Sequence, residues 1–252
     1  MFFQKINSLY VGRFAPLFGR HGIDHAFSTR KGGASRSPFD TLNLGGSTTD
    51  SPDAVYKNRR CFFQALDVRQ TDVAIPEQVH AGHVVVVTHP GRFPETDGLV
   101  TNKPGVVLTI QVADCLPVYL YDPNKQALGL VHAGWRGSAL QIAAKAVRLM
   151  QTEYGSRPAD LIACLGPSIG PCCYEVGEDV SQHFSSKHFI RNRLDLLSVN
   201  SGQLIDSGLQ LKNITESRLC TACHAAWFYS YRREKGQTGR MMAVLGLKAE
   251  KT

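Results

Sequence analysis

The sequence contains no unbroken apolar run of ~18 residues, so no membrane-spanning helix is expected. The opening stretch, MFFQKINSLYVGRFAPLFGR, is broken by polar side chains where an export signal requires a continuous apolar segment, and the chain is expected to be cytoplasmic. No block of five or more Lys or Arg occurs, and no basic stretch is regularly interleaved with aromatics, so neither nucleic acid nor a membrane is an expected partner. Neither the P-loop pattern nor the dinucleotide-binding glycine pattern is present, which leaves ATP and NAD without support. There is no His-x-His pair among the nine histidines, which argues against the trinuclear copper chemistry of a multicopper oxidase. Seven cysteines, an odd number, in a chain with no export signal favour free thiols or metal ligation over a disulfide framework.

The composition is ordinary for a globular α/β or α+β protein of 252 residues, with 43% hydrophobic residues, 23 glycines and 12 prolines. A formal charge of +7 fits either a basic solvated surface or an anionic, phosphate-bearing substrate. No repeat, low-complexity tract or linker divides the chain, so a single domain over 1–252 is expected.

Val106 to Gly137, VVLTIQVADCLPVYLYDPNKQALGLVHAGWRG, organises the rest. It reads as a strand, a tight turn carrying Cys115, a second strand, an Asp122-Pro123 turn, a third strand, and then His132 with a glycine-bracketed loop. The Asp-Pro turn predicts antiparallel pairing and hence an α+β fold of mixed, largely antiparallel sheets packed with helices. Further strands are expected at His25–Thr29, Val84–Thr88, Leu161–Leu165 and Arg240–Leu247. Ser51-Pro52 starts a helix with Val55, Arg59, Phe62, Phe63 and Leu66 along one stripe. Ser138 and Gln141 form an S-x-x-Q capping box for a helix that Gly155 stops. Helices are also expected over Gly177–Phe184 and Ser201–Leu211.

His80, Cys115 and His132 each sit at a turn or strand edge of a different segment. Two imidazoles and a thiolate form a soft-borderline ligand set for Zn²⁺, and three protein ligands leave a fourth position open for chemistry. Their separations match no local metal motif, and the bland alternative is a buried thiol with two hydrogen-bonded scaffold histidines. A second chemical reading makes Cys115 a nucleophile, His132 its base, and Asp114 or Asn43 the orienting group of a cysteine hydrolase. The loop His132-Ala-Gly-Trp-Arg136-Gly137 leads into a helix, an arrangement suited to phosphate, with Arg136 as a bidentate donor. Arg30, Lys31, Arg232 and Arg233 are further candidates for that pocket. Cys220-Thr-Ala-Cys223-His224 matches the pattern of c-type haem attachment formally, but reads best as a structural thiol pair, because Cys172-Cys173 lacks the spacing of a zinc knuckle partner.

The segments HAFSTRKGGAS, FDTLNLGG, EQVHAGHVVVV, TDGLVTNKPGVVLTIQVADCLPVYLYD, GLVHAGWRG, LGPSIGPCCYEVG and FYSYRREKGQTGRMMAVLGL together resemble the YfiH family. Its members carry the labels multicopper polyphenol oxidoreductase and laccase-domain protein, and are regarded as zinc-dependent purine nucleoside phosphorylases. The resemblance runs from about His25 to Leu247. It implies a catalytic zinc on His80, Cys115 and His132. It further implies phosphorolysis of adenosine, inosine, guanosine and methylthioadenosine to base and ribose 1-phosphate, with adenosine deamination as a side activity. Asp114 is expected beside the metal as an orienting group or proton shuttle, and Arg30, Asn43, Arg136 and Arg233 as residues that bind substrate or phosphate. The partners expected are a nucleoside and phosphate, and the chain is expected to be a monomer. The alternative within the resemblance is a cysteine or zinc hydrolase that edits peptidoglycan precursors.

Overall fold

The computed structural model describes residues 1–20 and 22–248; the expected unit over 1–252 also takes in His21 and residues 249–252, which lie outside the described residues. The described residues form two large mixed sheets and a small two-stranded one. From edge to edge, the first sheet runs Phe2–Ile6, Leu9–Arg13, Ile23–Ser28, Met241–Leu247, Val107–Val112, Val73–Pro76 and Gly91–Phe93. The second runs Ile214–Glu216, Ile162–Leu165, Leu116–Asp122, Ala127–Ala133, Gly98–Thr101 and Val84–Val86. Most neighbours are antiparallel; the pairs of Val73–Pro76 with both its neighbours, Val84–Val86 with Gly98–Thr101, and Ile162–Leu165 with Ile214–Glu216 are parallel. The fold is therefore the mixed, largely antiparallel α+β arrangement expected.

Strand alternation explains how the sheets stack. Leu108, Ile110 and Val112 of the first sheet share one apolar cluster with Tyr119, Tyr121, Leu128 and Leu130 of the second. These residues recur every second position, so they form the inner faces of a sandwich. The opposite face of the second sheet, with Val118, Leu120, Val131 and Ala133, is covered by the helix Ile142–Tyr154 through Ala143, Ala146, Val147 and Met150. The outer face of the first sheet is covered by the helix Pro52–Ala65 through Phe62 and Phe63. The layers thus run helix, sheet, sheet, helix. Truncating a fully buried side chain such as Met150 to alanine removes on the order of 2–5 kcal/mol.

Several elements differ from expectation for local reasons. The helix predicted from Ser138 is broken in two: Trp135–Ala139 and Ile142–Tyr154, with Gln141 left-handed at φ 57° between them. Ser138 does not cap. Its hydroxyl accepts from Asn200 Nδ2 at 2.8 Å, which ties it to the helix Leu196–Asp206. Gly155 ends the second helix in a left-handed C-cap as expected. The helix expected at Ser201–Leu211 starts earlier, at Leu196, because Asp195 accepts from the Ser198 N–H and caps it. That expected over Gly177–Phe184 is a single turn, Glu178–Ser181.

A buried polar pair in the first sheet gives a pH prediction. His25 is 1% exposed, and its Nε2 accepts from the Phe14 N–H at 2.7 Å, so the ring is neutral. Burial, reinforced by the Arg13 charge, lowers its pKa from 6.5 to about 3. The unfolded chain therefore binds a proton that the folded one refuses. The stability from neutral His25 is complete above pH 6.5 and is lost as pH falls towards 3. The difference in unfolding free energy between wild type and His25→Gln, measured by urea titration, should shrink by roughly 3 kcal/mol from pH 7 to pH 4.

Candidate metal centre and cleft

The strand pattern that builds the sandwich also delivers two chemical side chains to its end. His132 has the parity of Leu128 and Leu130, and Cys115 that of Tyr119 and Tyr121, so both point into the inter-sheet layer. Register sets the two side by side, with His132 opposite Pro117 and Ala133 opposite Leu116. His80 comes from the loop after Val73–Pro76, in left-handed backbone at φ 59°. Ligand atoms of His80, Cys115 and His132 lie within 4.8 Å of one another, and the two imidazole rings are 4.8 Å apart at 76°. The triad could hold a metal ion. His132 is buried, Cys115 half-buried and His80 exposed, so the triangle is open on one side.

Gly134 permits this approach. A Cβ at that position would stand 2.9 Å from the Cys115 sulfur, closer than real Cβ atoms come. The space taken by a side chain anywhere else is here occupied by the thiol.

Asp97 organises the triad and was not singled out from the sequence. It is fully buried, and its carboxylate accepts from the N–H groups of Val79 at 3.3 Å, His80 at 3.0 Å and Ala81 at 2.7 Å. It also accepts from His132 Nδ1 at 2.8 Å, which leaves Nε2 for the metal side. A carboxylate behind a ligating imidazole fixes its tautomer and raises its basicity. Burial alone would raise the Asp97 pKa, but the bonds from His132 and the His80 loop outweigh it and the pKa is lowered. Cys115 shows the same balance: burial raises its pKa, yet the neighbouring His132 and His80 bring it down to about 6. His132 rises to about 9, with burial opposed by the Cys115 thiolate and Asp97.

Asp114 precedes Cys115 with φ 84°, another left-handed non-glycine position. Its oxygens accept from Thr221 Oγ1 at 2.6 Å, Ser230 Oγ at 3.0 Å and the Arg232 N–H at 2.7 Å. It joins the ligand turn to the carboxy-terminal segments, and both its oxygens are engaged.

The triad opens into a cleft of about 860 Å³. Five arginines line it: Arg59, Arg92, Arg136, Arg232 and Arg240. Arg59 and Arg240 are partly desolvated, which lowers their pKa, and Arg92 adds to the effect on Arg59. Arg92 stands 4.0 Å from Glu77, which also lines the cleft, whereas Arg59, Arg136, Arg232 and Arg240 have no acidic partner at ion-pair distance among the described residues, and cations crowded in this way make a site for an anion. Tyr174, Tyr231 and Trp135 supply flat apolar walls.

Of the arginines expected to meet phosphate, Arg136 and Arg232 lie in the cleft. Arg30 does not: it pairs with Glu234 at 2.8 Å and Asp40 at 3.4 Å and borders a separate depression. Arg233 donates to the carbonyls of Thr221, Ala222 and Phe228 and to Glu234. Asn43 is fully buried, donates to Thr48 and Asp50, and accepts from the N–H groups of Gly45 and Arg240; it holds the Arg240 backbone and does not line the cleft. Arg59, Arg92 and Arg240 carried no local signal, because each comes from an otherwise ordinary helix, short strand or strand start.

A protein of this construction, with an open His–Cys–His triangle at the end of a two-sheet sandwich, falls in a recognisable class. Residues 24–248 match the family described as multi-copper polyphenol oxidoreductase laccase, and the chain belongs to that family. It is 41% identical over 233 residues to a purine nucleoside phosphorylase of Deinococcus radiodurans, covering 89% of each chain. It is 35% identical over 245 residues to purine nucleoside phosphorylase YlmD of Bacillus subtilis, covering 88% of this chain and 87% of the relative. A crystal structure of the Bacillus licheniformis hypothetical protein YfiH superposes with a TM-score of 0.90 at 34% identity, covering 98% and 99% of the two chains. No helix among the described residues is long and apolar enough to cross a membrane.

Proposed function

We propose that the cleft carries out phosphorolysis of purine nucleosides, with zinc on His80, Cys115 and His132. The observation that carries this reading is the open three-donor triangle facing a cleft lined by five arginines. The shared name of the relatives, purine nucleoside phosphorylase, supports it. Two imidazoles and a thiolate suit zinc better than copper, and when bound the metal supplies Lewis acidity and a water that ionises near neutral pH.

The chain's own residues would do the rest. Asp97 keeps the Nδ1 proton of His132 and the loop of His80 in place. The cleft arginines would hold orthophosphate, whose oxygen attacks C1′ as the bond from C1′ to the purine nitrogen breaks, giving ribose 1-phosphate. Tyr174, Tyr231 and Trp135 would sandwich the departing base. Adenosine, inosine, guanosine and methylthioadenosine share the purine and ribose that these contacts need. Adenosine deamination at C6 would follow in the same cleft with the base turned towards the triad.

Arg136 gives the test. It is exposed in the cleft, stacked 4.3 Å over Trp135, and can turn its guanidinium to an anion. Arg136→Gln should raise the KM for phosphate by about 10- to 100-fold, the loss of a charge-assisted hydrogen bond, with a smaller change in nucleoside KM. An unchanged phosphate KM would remove Arg136 from the anion site.

One observation favours a second reading, a cysteine hydrolase: the Cys115 thiol at about 6 beside His132 is a nucleophile-like pair. That chemistry has no use for His80, whose backbone is braced by the same carboxylate that orients His132. Three converging donors fit a metal better than a dyad.

A further inference from the structure

The structure gathers four thiols that the cleft does not use. Cys172 and Cys173 lie on the loop after strand Ile162–Leu165, and Cys220 and Cys223 on the segment after Ile214–Glu216. Their sulfurs all lie within 4.8 Å of one another, with Cys223 at 3.4 Å from both Cys172 and Cys173. Four sulfurs at about 2.3 Å from a central zinc are about 3.8 Å apart in a tetrahedron. Packing does not account for the group: Cys172 and Cys223 are exposed, and only Cys220 is buried. All four are free thiols.

We propose that Cys172, Cys173, Cys220 and Cys223 form a second, structural zinc site of four thiolates. Cys220 shows how the backbone serves it. The Gly170 N–H donates to the Cys220 sulfur at 3.3 Å, the kind of bond that stabilises a metal-bound thiolate. The two ligand segments are already paired through the bridge between Ser168 and Cys220 and the bond from the Thr221 N–H to the Ser168 carbonyl at 3.0 Å. Binding Zn²⁺ releases four thiol protons to solvent and leaves a formal charge of −2. Arg193 donates to the Cys172 carbonyl at 2.9 Å and Arg233 to the Ala222 carbonyl at 3.0 Å, so two cations stand beside the ligand loops to balance it.

The site has a consequence for the cleft. The first loop carries Ile169 and Tyr174 to the cleft wall, and the second carries Thr221, which donates to Asp114. A metal joining the two loops would fix that wall from behind. Adjacent cysteines match no local zinc pattern and their partners are about 50 residues away, which is why the sequence reads as two unrelated thiol pairs.

The test is zinc content of the reduced full chain, measured by elemental analysis after gel filtration. Wild type should carry two zinc ions per chain, and Cys172→Ser/Cys223→Ser one. Cys115→Ala should also keep one, and its cobalt-substituted form should show the intense sulfur-to-cobalt absorption of a four-thiolate site. Equal zinc in wild type and the double variant would overturn the proposal, as would an intact mass two hydrogens light with Cys172 or Cys173 bonded to Cys223 in the reduced protein. If the double variant fails to fold, alkylation of the wild type decides. Bound zinc should slow labelling of Cys172 and Cys223 at least 10-fold relative to chelated protein, and equal rates would overturn the site. A chain with one zinc that disappears in Cys115→Ala would remove this second site and leave the catalytic assignment standing.

Discussion

Cys115→Ala is expected to abolish phosphorolysis, with kcat/KM falling by about 10³-fold or more, the several kcal/mol of charge stabilisation that a catalytic metal provides. Cys115 is the sole anionic donor of the triad, placed by strand parity at the open end of the inter-sheet layer. Its removal leaves two imidazoles without an anionic donor, a weak pair for zinc. The fold should tolerate the change, because the side chain is half-buried and sits in the turn before Leu116, at the rim of the inter-sheet layer. Steady-state kinetics with inosine, alongside the thermal unfolding midpoint, would check it: activity lost and midpoint nearly unchanged. A variant that kept a tenth of wild-type activity would show that the thiolate is not a ligand on which the reaction depends.

Asp97→Ala should damage both site and fold. This one fully buried carboxylate satisfies three backbone N–H groups and an imidazole N–H. Removing it strands four buried or half-buried donors, and a loss of about 3–5 kcal/mol is expected, as for breaking any buried charge pair on one side. Zinc affinity should fall by about 10- to 100-fold, since neither His80 nor His132 is then held. Asp97→Asn separates the two effects. Its oxygen can still accept from part of the loop, but its NH₂ faces donors, so affinity should fall while more of the stability survives. The charge also carries a pH dependence. The Asp97 pKa is lowered in the fold, so its contribution is complete above the ordinary carboxylate range and is lost as pH falls through the folded value. Zinc competition with a chromophoric chelator and urea unfolding of the three proteins would measure both quantities.

The organisation of the site was largely legible in the sequence, and strand geometry shows why. Once Asp122-Pro123 is read as a hairpin turn, alternation alone places Cys115 and His132 on one face and near each other. His80 is grouped with them by residue type and its place at a strand edge, and the family motif strengthens that grouping, since its loop with left-handed backbone leaves no periodic trace. Asp97 was passed over because a lone acid before an apolar strand looks like a turn residue; only the structure shows four donors converging on it. The arginines divide for an electrostatic reason. Arg30 and Arg233 stand near Glu234, which engages both, and a charge already paired is unavailable to phosphate. Ser138 matched a capping box, but Asn200, 62 residues away, takes its hydroxyl, and the helix restarts after Gln141. Local pattern fails where a distant partner competes for the same polar atom.

The most direct test of the account is hypoxanthine release from inosine by the zinc-loaded protein, with and without phosphate, and in Cys115→Ala. The expected result is release that depends on phosphate, yields ribose 1-phosphate in equal amount, and is absent from the variant. Equal release without phosphate, yielding free ribose, or undiminished release by Cys115→Ala, would contradict a zinc-dependent phosphorylase built on His80, Cys115 and His132.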